Sequence, residues 1–185
     1  KELAGTQKNA WLKVLTSQFP DKPKEEIRIL DIGTGPGFFP VILAEAGYHV
    51  DAVDYTEGML EKAKENAGDL CRNIRFLRMD AQKLDFEDNT FDVVISRNLT
   101  WNLEHPDVAY REWVRVLKVG GRLLNFDANW YGYLYEEEQR KAYENDRKNV
   151  ENNSLDDHYL CTDIERMERI ALQVPLSKIS RPQWD

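Results

Sequence analysis

Apolar residues recur along the chain with two different spacings, and together these spacings predict alternating strands and helices. Short apolar runs that are rich in β-branched residues are typical of buried parallel strands. Apolar residues at helical spacing predict helices at Phe38–Ala46, at Glu57–Ala67 and from Pro106 to the glycines at 120 and 121. This alternation predicts an α/β fold with a mostly parallel sheet flanked by helices. Five runs predict strands, at Ile27–Ile32, Val50–Asp54, Ile74–Met79, Phe91–Ile95 and Arg122–Asp127.

Helical patterning also surrounds this alternating region. Leu3–Phe19 is amphipathic and predicts a helix that covers an edge of the sheet. Glu136–Val150 is highly charged, with opposite charges four residues apart, and Asp163–Gln173 predicts another short helix. We therefore expect residues 1–128 to form the core. Residues 129–185 are expected to form a helical lid and the C-terminal part of the same domain.

A glycine turn follows the first predicted strand. Gly33, Gly35 and Gly37 let the backbone turn sharply and leave no side chain between it and a ligand. A dinucleotide-binding loop has the spacing G-x-G-x-x-G and holds a pyrophosphate, which the nearby Asp31 would repel. Asp31 instead suits a ligand with a cationic amino group. Asp54, at the end of the second strand, suits the two hydroxyls of a ribose.

The sequence Asp31-Ile-Gly-Thr-Gly-Pro-Gly37, together with Asp54, resembles the first two motifs of the class I S-adenosylmethionine-dependent methyltransferases. The resemblance is to the small-molecule type with a methyltransferase-11-like domain, and it continues as far as Asp127. It implies a Rossmann-like fold with a helical lid insertion after the fifth strand. It also implies S-adenosyl-L-methionine as cofactor, S-adenosyl-L-homocysteine as product and a small-molecule methyl acceptor.

The resembled fold has two further strands, and the sequence does not predict them. Val174–Ile179 is short and is interrupted by Pro175. Either the chain is a fragment that lacks its N-terminal start and its final strands, or the sheet is completed differently, and we favour a fragment. Such a sheet would have an unpaired edge and uncovered apolar faces.

The resemblance also assigns residues to the cofactor. Asp80 would accept a hydrogen bond from the adenine amino group, the Ala81 amide would donate to a ring nitrogen, and Met59 would lie against the adenine face. Three of the candidate residues have a structural alternative. Asp80 could form a turn, Met59 could fill a packing gap and Asp31 could cap the glycine turn. The full predicted set is Asp31, Gly33, Thr34, Gly35, Gly37, Asp54, Tyr55, Met59, Asp80, Ala81, Arg97 and Asn98.

Aromatic residues after the fourth and fifth strands are candidates for a substrate pocket. They are Trp101, Trp130, Tyr131 and Tyr133. Trp101 could equally be a core residue. The aromatic residues after the fifth strand, Trp130, Tyr131 and Tyr133, could simply anchor the helix that follows. No catalytic residue is assigned, because His105, Tyr131 and Tyr133 are candidates for a general base by placement alone.

The composition of the chain limits the classes of partner that it is expected to bind. The net charge of −8 repels nucleic acid phosphates and anionic membrane surfaces, and no apolar run has membrane-spanning length. We therefore expect no membrane partner and do not favour a nucleic acid substrate. Cys71 and Cys161 are far apart and no export signal is found, which predicts reduced thiols in a cytoplasm. Asp156-Asp157-His158 near Cys161 is explained as well by a solvated acidic turn, so no metal site is predicted.

Two other functions compete with methyl transfer. A protein that binds S-adenosylmethionine without catalysis would carry the same motifs, because binding motifs do not establish turnover. An NAD-dependent Rossmann oxidoreductase is opposed by the early third glycine and by Asp31. The acceptor, the oligomeric state and the use of a general base are not determined by the sequence.

Overall fold

A computed structural model describes residues 7–153 and 163–178. The chain forms two compact units. The first contains the described residues up to Leu99 together with Asp107–Phe126, and the second contains Thr100–Pro106 and the described residues from Asp127 onwards. The predicted boundary between a core at 1–128 and a lid at 129–185 stays a prediction.

A five-stranded, all-parallel sheet forms the centre of the first unit. The strand order is β3-β2-β1-β4-β5. The chain therefore reverses its direction of winding between β1 and β4, and ligands bind at the carboxyl ends of the strands beside such a point. This sheet, flanked by helices, confirms the predicted α/β, Rossmann-like fold. The strands are β1 at Ile29–Ile32, β2 at Val50–Asp54, β3 at Ile74–Arg78, β4 at Phe91–Arg97 and β5 at Leu117–Phe126.

Four helices accompany the sheet: α1 at Gln7–Thr16, α2 at Phe38–Glu45, α3 at Glu57–Ala67 and α4 at Pro106–Val116. Helix α2 is apolar on every side, and its residues from Phe38 to Ala44 are all buried. It packs with the central strands in one core cluster that includes Leu15, Ile42 and Ile95. The core thus fixes the helix that directly follows the glycine turn.

The prediction that α4 extends to the glycines at 120 and 121 was wrong. The helix ends at Val116, where the amides of Asn89 and Thr90 donate to the carbonyls of Arg115 and Val116. These bonds satisfy two carbonyls that a helix end leaves open. The two glycines lie within β5, and the pairing of β5 with β4 shifts register between Phe91 and Val93.

The described residues of the second unit form two helices, α5 at Glu137–Asn153 and α6 at Ile164–Ala171. Asp163 caps α6 by accepting a hydrogen bond of 2.9 Å from the amide of Arg166. Within residues 7–153 and 163–178 no strand follows β5, and Pro175–Lys178 forms a 3₁₀ turn instead. None of the helices in these two ranges has the length and apolar character needed to cross a membrane. Residues 156–158, where the sequence suggests an acidic turn, and Cys161 lie outside the described residues.

A buried aspartate ties the start of β4 to its surroundings. Asp92 accepts hydrogen bonds from the ammonium groups of Lys22 and Lys118, each at 2.7 Å, and from the Arg28 amide at 3.0 Å. Burial would raise the pKa of Asp92, but these three hydrogen bonds together lower it to about 2. The ionised carboxylate therefore stabilises the folded state.

We expect Asp92→Asn to lower the free energy of unfolding by about 2.5 kcal/mol at pH 7, the value of the pKa difference from 3.8. In the unmutated protein this contribution is present above about pH 4 and is lost as the pH falls towards 2. Urea denaturation at pH 7 measures the effect. Asp107→Asn is the control, because Asp107 is exposed and its ion pair with Arg111 lies at the surface, so this change should affect stability far less. Equal losses in both variants would contradict this role for Asp92.

Candidate functional site

A cavity of about 220 Å³ lies where the sheet reverses its winding, at the carboxyl ends of β1 and β4. It collects six of the residues that the sequence assigned to a cofactor, although they come from two separate parts of the chain. Asp31 lies in β1, the glycine turn follows it, and Arg97 closes β4. The cavity is lined by Asp31, Gly33, Thr34, Gly35, Pro36, Phe38, Phe39, Arg97 and Asn98.

The three glycines of the turn have different roles. All three have positive φ angles, which glycine adopts without strain. A Cβ added to Gly33 would lie 2.8 Å from a methyl group of Leu99, and one added to Gly37 would lie 2.9 Å from the Cβ of Ala63. A Cβ added to Gly35 would meet nothing within 4 Å. Gly33 and Gly37 thus also allow close packing, whereas Gly35 faces open space, and the predicted contact of all three with a ligand stays a prediction.

Asp54 holds this turn in place. One carboxylate oxygen accepts a hydrogen bond of 2.8 Å from the Gly35 amide, and the other accepts one of 2.9 Å from the Thr56 amide. The side chain of Thr56, which is at the N-cap of α3, makes no capping bond. Each carboxylate oxygen has a further lone pair, so Asp54 can also accept hydrogen bonds from two ligand hydroxyls.

Asp31 is a buried carboxyl group on the floor of the cavity. Only 3% of its surface is exposed. Its pKa is raised to about 7, mainly by burial and to a smaller extent by the nearby Asp54, while Thr34 and Arg97 act in the opposite direction. Because a carboxylate in this position is poorly solvated, a ligand that brings a cation would favour its ionised form. The position beside the cavity suits a ligand contact, and the interaction with Thr34 of the turn suits a turn cap, so the ligand contact stays a prediction.

Arg97 places a positive charge among aromatic rings. The centre of its guanidinium group lies 4.8 Å from the ring centre of Phe38, 5.4 Å from that of Phe39 and 5.7 Å from that of Trp11. The faces of aromatic rings attract cations at these distances. The sequence singled out Arg97 but missed the two phenylalanines. The available signal was their position directly after the third glycine.

Asn98 continues the site in a strained backbone conformation. Its φ angle is +57°, and its amide donates to the Phe126 carbonyl at 2.9 Å. A non-glycine residue in this region costs about 1 kcal/mol or more, although asparagine tolerates it better than most residues. Such strain occurs often at functional sites. It fixes the direction in which the chain leaves Arg97.

The remaining predicted cofactor residues lie at the ends of β2 and β3. Tyr55 and Met59 expose 67% and 45% of their surface, which does not suit a residue that fills a packing gap. Asp80 accepts a hydrogen bond of 2.8 Å from the Gln82 amide through its Oδ1 atom. The Ala81 carbonyl accepts one of 2.9 Å from the indole N–H of Trp113, which is fully buried. A turn and a core tryptophan therefore hold the Asp80–Ala81 backbone in place.

The predicted substrate-pocket residues belong to the second unit and form an aromatic group there. The ring centre of Trp101 lies 5.0 Å from that of Tyr131 and 6.2 Å from that of Trp130. The buried indole N–H of Trp101 has no hydrogen-bond partner among the described residues. A group of this kind has a donor available for an oxygen atom of a bound molecule.

Tyr133 has a different environment. Its ring stacks on that of Tyr143 in α5 at 4.2 Å, and its hydroxyl donates to Glu168 in α6 at 3.1 Å. These contacts favour the alternative that this residue anchors the following helix. His105, a candidate base, is exposed and lies 3.8 Å from Glu104. Neither residue is therefore placed as a catalytic group.

A family model described as a methyltransferase domain matches residues 30–125, about half of the chain. The chain belongs to this methyltransferase family. The matched segment contains the glycine turn, Asp54, Asp80 and the end of β4, which are the parts that form the site in the first unit. The predicted recognition is thus confirmed, whereas the roles of individual methyltransferase residues stay predictions.

Relatives and solved structures agree with the family. The chain is 41% identical over 98 residues to demethylmenaquinone methyltransferase of Clavibacter sepedonicus, covering 52% of this chain and 39% of that protein. The solved structure of the PH0226 protein from Pyrococcus horikoshii is similar with a TM-score of 0.60 at 28% identity, over 75% of this chain and 66% of that one. Phosphoethanolamine N-methyltransferase 1 of Haemonchus contortus has a TM-score of 0.54 at 26% identity, over 64% of this chain and 24% of that one. The chain spans less than half the length of the curated relatives that it matches.

Proposed function

We propose that this chain acts as an S-adenosylmethionine-dependent methyltransferase on a small-molecule acceptor. The observation that carries the proposal is the placement of Asp31 and Asp54 on either side of a glycine turn whose central glycine faces open space. The family membership supports the same reaction. The structure of the Haemonchus contortus relative was solved with S-adenosylhomocysteine, which supports the cofactor.

The residues of the site fit this cofactor. Its methionine part carries an amino cation and a carboxylate, which match the charges of Asp31 and Arg97 in the cavity. Asp54 keeps lone pairs for the ribose hydroxyls. Tyr55 and Met59 expose apolar surface suited to adenine. When bound, S-adenosylmethionine supplies an activated methyl group on sulfur, so the protein mainly aligns the reactants and excludes water.

For the acceptor, we propose a planar aromatic molecule that carries oxygen. The aromatic group of the second unit supports this, because Trp101, Trp130 and Tyr131 offer flat apolar surface and the Trp101 indole offers an unpartnered donor. A relative named for demethylmenaquinone supports a quinone-type acceptor. The expected cytoplasmic location stays a prediction from the sequence.

Calorimetric titration with S-adenosylhomocysteine, run beside NAD, tests the cofactor. We expect micromolar binding of the first and no binding of the second. Incubation with S-adenosylmethionine and a reduced naphthoquinone, followed by measurement of S-adenosylhomocysteine release, then tests turnover. Binding without turnover across quinol and phenol acceptors would favour a protein that binds the cofactor without catalysis, and binding of NAD would overturn the proposal.

Gly35→Ala is expected to weaken S-adenosylhomocysteine binding at least about tenfold. The new methyl group would occupy the space through which the cofactor approaches the backbone of the turn. Gly47→Ala is the matched control. Gly47 also has a positive φ and no neighbour within 4 Å, but it lies at the end of α2. Both changes carry the strain of a positive φ, about 1 kcal/mol, so calorimetry separates steric exclusion from strain. Unchanged affinity in Gly35→Ala would show that the turn does not face the cofactor.

A further inference from the structure

A second and larger cavity lies at the opposite edge of the sheet. Its volume is about 340 Å³, and it opens at the amino ends of four strands. Ile29, Val50, Ile74 and Phe91 are the first residues of β1, β2, β3 and β4, and all four are buried. They give the cavity an apolar floor. The cofactor cavity lies at the carboxyl ends of the same sheet, so neither pocket shares residues with the other.

The rim of this second cavity is cationic. Arg28, Arg72, Arg75 and His49 line it, against two acidic residues, Glu25 and Asp51. This surplus of basic groups contrasts with the net charge of −8 of the whole chain. A local cationic rim concentrates anions even on an acidic protein.

The basic side chains of the rim differ in whether they already bind another side chain. Arg75 donates two hydrogen bonds, of 2.8 and 2.7 Å, to the two carboxylate oxygens of Asp51. Arg28 lies 3.9 Å from the same carboxylate and 5.3 Å from the ring centre of Phe91. Asp51 is thus already neutralised. The side chains of Arg72 and His49 make no hydrogen bond or ion pair with the described part of the chain.

We propose that this cavity binds a small organic anion, with its phosphate or carboxylate on Arg72 and His49 and its apolar body on the strand-end floor. A guanidinium group donates two parallel hydrogen bonds to either kind of anionic group. Among the floor residues Ile74 keeps the largest exposed fraction, 6%, and provides apolar surface that an organic body would cover. This site goes beyond the proposed methyl transfer and does not depend on it.

Phenyl phosphate, benzoate, inorganic phosphate and phenol serve as probes in calorimetric titrations of the full chain. We expect phenyl phosphate or benzoate to bind, and the tighter of the two identifies the head group. Inorganic phosphate and phenol should each bind at least about tenfold more weakly, because each lacks one half of the recognition. Equal binding of inorganic phosphate would overturn the role of the apolar floor.

Arg72→Gln should weaken the binding of the tighter probe at least about tenfold. Arg111→Gln is the control, since Arg111 is also exposed but pairs with Asp107 and does not line the cavity. Circular dichroism checks that both variants fold. Equal losses in the two variants would overturn the site. Displacement of the probe by saturating S-adenosylhomocysteine would also overturn it, because the probe would then occupy the cofactor cavity.

Discussion

Asp31→Asn is expected to remove most of the affinity for S-adenosylhomocysteine and, at the same time, to stabilise the unliganded protein above pH 7. The affinity falls because the ligand amino cation loses a charged acceptor, which is worth about 1.5–3 kcal/mol, or roughly tenfold to a hundredfold. The stability rises because the substitution removes a carboxylate that is poorly solvated in the folded state. Calorimetry measures the first effect and urea denaturation at pH 8 measures the second.

The pH dependence of stability follows from the direction of this pKa shift. The pKa of Asp31 is about 7 in the folded protein against 3.8 ordinarily, with burial as the main cause. Between these values the unfolded chain binds fewer protons than the folded one, so stability decreases as the pH rises. This group alone lowers the free energy of unfolding by up to about 4 kcal/mol between pH 4 and pH 8. The decrease should be absent in Asp31→Asn.

Cofactor affinity should depend on pH in the opposite direction. An amino cation favours the ionised form of Asp31, so the affinity of the unmutated protein should fall as the pH is lowered through 7. Thr34, Arg97 and Asp54 also face this carboxyl group. Asp92→Asn is the comparison, because it removes a buried carboxylate whose pKa is lowered. Destabilisation by both substitutions would contradict the assignment of Asp31 as a residue that trades stability for binding.

The opposite shifts of these two aspartates show where sequence reasoning stops. The glycine turn and Asp31 were recognisable because their spacing is local and a turn after a strand has few solutions. Whether folding favours or disfavours the ionised form of a carboxyl group depends on residues that only the folded chain brings together. Lys22 and Lys118 reach Asp92 from positions almost a hundred residues apart. No local pattern contains that information.

The same limit applies to Arg97 and to the helix boundaries. The sequence placed Arg97 at the site, but its aromatic surroundings depend on how α1 and α2 pack against β4. The glycines at 120 and 121 gave the wrong end for α4, because the amides that complete this helix end belong to Asn89 and Thr90. Fold class was predictable, since the alternation of strands and helices leaves few arrangements.

Asp54→Ala is expected to weaken S-adenosylhomocysteine binding by about 2 kcal/mol or more, roughly thirtyfold. Two causes contribute. The ribose hydroxyls lose a charged acceptor, and the amides of Gly35 and Thr56 lose the hydrogen bonds of 2.8 and 2.9 Å that fix the turn. Calorimetric titration measures the total loss. Asp107→Ala, which removes an exposed carboxylate, should leave the affinity unchanged.

The two causes can be separated with an analogue of S-adenosylhomocysteine that lacks the ribose 2′ and 3′ hydroxyls. If Asp54 contacts these hydroxyls, removing them from the ligand should weaken binding to the unmutated protein but have little further effect in Asp54→Ala. Losses at contacting groups are not additive, whereas losses at independent sites add. Additive losses would therefore restrict Asp54 to holding the turn at Gly35. The ribose assignment would then be wrong, even though the substitution weakens binding.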